Sequence, residues 1–229
     1  MNRLPVSMTS TEKSLGWIYW GLQLLVLPVA MSMLLEHFAI SLSEIQFNFI
    51  YFAINFICLT VILRRFLGNN ARLALQQPFR TLRYAFGAYA FFWISTTIIG
   101  TATSYFVPSF ANVNDASIME MASDDYTLTA IGTVLLAPVA EELMYRGLIF
   151  DALHHRSPAG AFFVTTVVFA AIHVVGYIGL YSPFVLLLCF VQYIPAGLCL
   201  GWAYTRSGNI WAPILTHIAI NQTTILTMR

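Results

Sequence analysis

Apolar residues run along this chain in long unbroken blocks rather than at the spacing of an amphipathic helix or strand. Seven blocks stand out, roughly 15–35, 45–63, 84–106, 126–153, 159–177, 184–204 and 210–228. A helix rises about 1.5 Å per residue, so ~20 apolar residues cross a ~30 Å hydrocarbon core. The pattern predicts an all-α, polytopic transmembrane helical bundle of about seven spans. No internal repeat and no low-complexity linker divides it, so residues 1–229 read as a single integral membrane domain. The first block is longer than the ~7–15 residues of a signal-peptide core, and no A-x-A site follows it. It is expected to stay as a membrane helix.

Composition agrees. The chain is 59% hydrophobic and 9% charged, where soluble domains carry about 25% charged residues. A net charge of +1 leaves no clustered basic face for phosphates, so a nucleic-acid partner is excluded and a lipid bilayer is the expected surroundings. Cys58, Cys189 and Cys199 all lie in apolar blocks without CxxC spacing. That suggests neither a disulfide framework nor a thiolate metal site.

Charge placement predicts an orientation. Arg64, Arg65, Arg72, Arg80 and Arg83 crowd the connection between the second and third spans, which has no acid. Asp115, Glu120, Asp124 and Asp125 occupy the next connection, which has no base. The positive-inside rule puts the arginine connection in the cytoplasm. Seven alternating spans then place the N-terminus inside; Arg3, Lys13, Arg156 and Arg206 agree, and only the terminal Arg229 does not.

Against this apolar background, a few polar residues stand out. Glu141, Glu142 and Arg146 interrupt the fourth block, His173 the fifth, and His217 with Asn221 the last. An ionised group at mid-span costs ~2.5–3.5 kcal/mol on insertion scales, so such groups point to a use. Taking inner ends near His154, Ala159 and Gly208, Glu141, His173 and Asn221 lie ~20 Å up their helices and His217 ~14 Å. Groups on three helices thus reach a similar depth. Glu142 and Arg146 are i and i+4 in the acid-first order of an ion pair. Glu141 points about 100° away from Glu142 and is left to face a cavity, where burial suits a carboxylate to act as a general base on water. His217 and Asn221 share a helix face and offer two donors to an oxyanion. The bland readings are a buried network that fixes packing for the charges, and interhelical hydrogen bonds for His173, His217 and Asn221.

Zinc is the alternative use, with Glu141, His173 and His217 as ligands. Yet H-E-x-x-H is absent, as is any other close-spaced ligand pair. No cofactor is therefore expected. His37, His154 and His155 read as loop residues. Pro138, Pro195 and Pro213 interrupt spans near the polar groups, as broken helices lining a cavity do, although Pro195 reads as an ordinary kink.

The ordered set Glu141-Glu142-Leu143-Met144-Tyr145-Arg146, Phe169 to His173, and His217 to Asn221 resembles the CAAX protease and bacteriocin-processing family, also called Abi or type II CAAX prenyl endopeptidases. The resemblance covers roughly residues 125–225; the first three spans carry no family mark. It implies an intramembrane endopeptidase whose cavity opens to the cytosol. Glu141 and His173 would activate water, His217 and Asn221 would hold the oxyanion, and Glu142 and Arg146 would support them. It also implies a peptide or membrane-protein substrate and, from the small size and topology, a bacterial inner membrane. Two other readings compete: a non-catalytic immunity or scaffold protein that keeps the fold, and a small transporter whose carboxylates relay protons. The intact polar set disfavours the first, and the lack of inverted repeats the second.

Overall fold

A computed structural model of the chain describes residues 4–227. Arg3, Met228 and Arg229, which entered the reading of orientation and of the last span, lie outside the described residues. Ten helices come one after another: α1 Ser10–Leu25, α2 Leu27–His37, α3 Glu44–Ile62, α4 Arg64–Gln76, α5 Pro78–Phe106, α6 Val113–Asp124, α7 Tyr126–His154, α8 Pro158–Val175, α9 Pro183–Ser207 and α10 Trp211–Thr227. Five of them, α3, α5, α7, α8 and α9, are long and apolar enough to cross a membrane, and a sixth span results if α1 and α2 count as one. The protein is a multi-pass, all-α membrane bundle.

The expected seven spans map onto these helices with two departures. The first is bent by 53° between α1 and α2. Pro28, in the first turn of α2, has no N–H to give the carbonyl four residues back, so the helix cannot run straight. The last, α10, has 17 described residues, just short of a full crossing. The charged connections, expected as loops, fold as helices α4 and α6.

α7 is the centre of the bundle. Of its apolar window 61% is buried within the protein, against 17% for α3 and 11% for α5. Lipid tails are as apolar as leucine, so association here relies on close approach and hydrogen bonds rather than on hydrophobic burial. Small residues supply the approach: Ala85, Ala88, Ala196 and Ala203 are all buried. At Gly197 a Cβ would stand 2.8 Å from the Thr166 backbone, so α9 crosses α8 where only glycine fits.

Hydrogen bonds tie the end that carries the arginines. Glu12, buried in the first turn of α1, accepts from the backbone of Thr9 at its own N-cap and from Phe66 N at the start of α4. One carboxylate thus satisfies orphan N–H groups of two helices. Asn70 of α4 accepts from Ile210 N at 2.9 Å. Asn209 caps α10 through Trp211 N and Ala212 N and donates to Thr81 of α5 at 3.0 Å. Gly208, with φ at 79°, makes the left-handed turn between α9 and α10.

Candidate active site

α7 is not uniform. π-helical turns at Ile131–Leu136 and Leu143–Phe150 flank the α-helical segment Ala137–Glu142. Such turns are rare and recur at functional sites. The first has a traceable cause. The N–H of Ala137 reaches the Gly132 carbonyl, five residues back. In that register Thr133 O would take its hydrogen from residue 138, which is proline and has none. The orphaned carbonyl is met from another helix: Asn221 Nδ2 donates to Thr133 O at 2.7 Å. Pro138 therefore helps to position Asn221.

The segment between the π turns carries the carboxylates. Arg146 Nη1 donates to Glu142 Oε1 at 2.8 Å, and neither side chain has any exposure. The guanidinium also donates to Gly197 O at 3.3 Å and lies 4.9 Å from the Phe169 ring centre. Glu142 Oε1 is shared: His217 Nδ1 lies 2.9 Å from it. This carboxylate fixes how the imidazole sits, as carboxylate partners of functional histidines do. The other ring nitrogen, Nε2, faces Glu141 Oε2 at 4.0 Å. That oxygen of Glu141 is buried without a hydrogen-bond partner. His173 of α8 points its Nδ1 at the Phe169 carbonyl, 2.7 Å away. A carbonyl only accepts, so the proton is on Nδ1 and the neutral ring keeps its lone pair on Nε2.

Glu141, His173, His217 and Asn221 all line one cavity of about 530 Å³. A second cavity, of about 320 Å³, also touches His173, His217 and Asn221 but not Glu141. Among the described residues, no three or more His, Cys, Asp and Glu side chains gather as a metal ion would need. With its Nδ1 held by Glu142, His217 presents Nε2 to the cavity, the nitrogen that a carboxylate-oriented histidine offers to a proton, a substrate or a metal. The remaining histidines lie elsewhere. His154 is in the last turn of α7, stacked on Phe150, and His155 is 3.7 Å from Asp151. His37 ends α2 beside Phe38.

Other polar groups around the cavities were not singled out from the sequence. Gln23, Tyr51 and Asn55, from α1 and α3, line the larger one and bond one another: Tyr51 donates to Gln23 Oε1 at 2.6 Å, and Asn55 donates to Tyr51 O. Tyr193 of α9 stacks on His173 with ring centres 4.3 Å apart. Its hydroxyl donates to Asp115 and accepts from Asn114, both on α6. Asn112 at the N-cap of α6 donates to Gln192. Lone polar residues inside apolar blocks, as Gln23, Asn55 and Gln192 are, would have been the signal.

The larger cavity has a defined end. Its exposed rim includes Glu44 at the start of α3 and Gly176 and Leu180 just after α8, and α6 lies across it through Asn114, Ser117 and Ile118. These positions share the end where α5 stops and α7 starts, opposite the arginines of α4. The two expectations about orientation, arginines inside and cavity open to the cytosol, cannot both hold for this bundle.

No curated protein matches the chain, and no solved structure does. A sequence model of the type II CAAX prenyl endopeptidase Rce1-like family matches residues 123–223. That stretch starts just before α7 and ends in α10, so it contains the two carboxylates, both cavity histidines and Asn221. Through the segment that builds this site, the chain is similar to the Rce1-like family of type II CAAX prenyl endopeptidases.

Proposed function

We propose that the protein is a bacterial inner-membrane endopeptidase that hydrolyses a peptide bond with a glutamate-activated water and no bound metal. The observation that carries the reading is the Glu141 carboxylate, with one oxygen unpartnered in a cavity and His217 Nε2 opposite it. Glu141 takes a proton from the attacking water, while His173 Nε2 accepts the second water hydrogen and aims the oxygen. The water adds to the peptide carbonyl carbon. The resulting oxyanion is held by His217 Nε2 acting as a donor and by the Asn221 N–H that Thr133 does not use. Collapse breaks the C–N bond, and Glu141 returns its proton to the leaving amine. General-base and oxyanion terms of this kind are each worth about 10²-fold or more. Glu142 and Arg146 act as supports: Glu142 orients His217, and Arg146 holds Glu142 and α9.

Glu141→Gln is expected to lower cleavage of a quenched-fluorescence peptide library by ~10²-fold or more without changing thermal stability. Full activity in the purified variant would refute the assignment. Stoichiometric zinc in the pure protein, with activity lost on chelation and restored by zinc, would overturn the metal-free mechanism and reassign Glu141, His173 and His217 as ligands. One observation favours a non-catalytic immunity or scaffold protein: the Asn221 amide is already engaged by Thr133. No cleavage of any library member by the wild-type protein, with the fold intact, would support that reading.

A further inference from the structure

The positively charged residues and the cavity lie at opposite ends of the bundle. Lys13 in the first turn of α1, Arg64, Arg65 and Arg72 on α4, and Arg80 and Arg83 at the start of α5 gather at one end. Arg156 after α7 and Arg206 at the end of α9 join them there. At the other end, among the described residues, Glu36, Glu44, Glu120, Asp124 and Asp125 meet no lysine or arginine. Basic residues in short connections near helix ends set which face stays in the cytoplasm, and acids contribute little. The connection through α4 is short and carries five of them, so it dominates.

We infer that the catalytic cavity opens away from the cytoplasm, so that the scissile bond comes from a segment already translocated across the membrane. The substrate class is then an exported peptide, or the outward-facing part of a membrane protein. A polypeptide that stays on the cytosolic face, however it is anchored there, does not reach the site. The consequence for substrate rests on reading this cavity as proteolytic; the sidedness itself does not.

The cavity geometry adds to the argument. From its rim at Glu44, Gly176 and Leu180 the lining runs inward past Asn48, Tyr51 and Asn55 on α3 to Glu141 and His217. At the arginine end the same space is filled. Leu59, Leu63, Phe66, Phe150, Tyr204 and Ile210 are all buried there in one cluster, and the hydrogen bonds of Glu12, Asn70 and Asn209 lie in the same region. A peptide approaching from the cytoplasm would have to part this packing.

The test needs no substrate. Single cysteines are placed at Glu120→Cys on the exposed face of α6, Leu75→Cys on the exposed face of α4, and Ser117→Cys in the cavity wall. Asn48→Cys serves as a second cavity position should Ser117→Cys fail to fold. Intact bacterial spheroplasts expressing each variant are treated with a membrane-impermeant maleimide; the wild-type chain reports any labelling of its own three cysteines. Glu120→Cys and the cavity cysteine are expected to label in intact spheroplasts, and Leu75→Cys at least tenfold more after permeabilisation. Labelling of Leu75→Cys but not Glu120→Cys in intact spheroplasts would invert the bundle and overturn the inference. Labelling of Glu120→Cys with both cavity cysteines resistant, before and after permeabilisation, would also overturn it, because the cavity would then be closed to water at that end. Cleavage in detergent, where sidedness is lost, is measured separately. Its absence would sink the protease reading and leave the labelling result standing.

Discussion

At the arginine end, α1, α4, α5, α9 and α10 are bound together by side chains that cap helices across the bundle. Glu12 reaches α4, Asn70 reaches Ile210, and Asn209 reaches Thr81. A large buried cluster fills the space between them. At the acidic end, the buried apolar cluster has only Val113, Val174 and Cys189 at its heart, and two cavities take up the rest. The polar contacts there run between α6 and α9 and touch the candidate site through Tyr193 and His173. One end keeps the helices in place; the other leaves open space between them. The carboxylates and Arg146 sit where the two meet.

This contrast makes graded predictions. The largest effect belongs to the junction. Arg146→Ala leaves Glu142 buried without its guanidinium, with only the His217 ring beside it, and is expected to cost about 3–5 kcal/mol, read as loss of folded protein in detergent. A variant of wild-type stability would mean that the two ends are not joined there. Next comes the tied end. Asn70→Ala removes the partner of Ile210 N and is expected to cost about 1–3 kcal/mol, with unchanged cleavage per folded molecule. A drop in turnover without a drop in stability would break the division of labour. At the open end the balance reverses. Tyr193→Phe keeps the ring against His173 but loses the hydroxyl bonds to α6, and should cost only about 1 kcal/mol. Its effect should fall on turnover, measured beside thermal stability.

The smallest effect concerns pH. Burial raises the carboxyl of Asp115 above its usual range, with the Tyr193 hydrogen bond opposing in part; Tyr177 and Cys189 are the other titratable groups near it. The docked α6 thus favours the neutral acid. Its docking is firmest below the unfolded carboxyl pKa of ~3.9 and weakens as pH rises through the raised value. Hydrogen exchange along α6 should speed up over that window, and Asp115→Asn should flatten the profile. An unaltered profile in that variant would assign the titration elsewhere.

Much of this was legible in the sequence because lipid allows so few solutions. A block of ~20 apolar residues can only be a helix, and polar groups at i, i+4 must share a face. The bend at Val26 was missed because one proline, Pro28, outweighs a block that looks continuous. α4 and α6 were missed because a charged connection between spans carries no apolar pattern of span length. Within the site, Glu142 with Arg146 could be read from spacing. The bond from Glu142 to His217 could not, since those residues are 75 positions apart and their meeting depends on how α7 and α10 are rotated. Asn221 shows the same gap: its partner is a backbone carbonyl freed by a proline on another helix, which no side-chain motif records.

The π turns on either side of Glu141 and Glu142 set the azimuth of the pair. A turn closed by an i→i+5 bond holds about one residue more than an α turn, so each one shifts the angular phase of the residues beyond it by up to ~100°. With one such offset before the carboxylates and another after them, their direction is uncoupled from both ends of α7. The outer end can track the cavity mouth and the inner end the arginine-side packing, while Glu141 keeps its own heading. A Pro138→Ala change, which would let the upstream turn revert to α register, should therefore rotate the outer third of α7 about its axis rather than unfold it. Asn221 would then face a carbonyl that is already hydrogen-bonded.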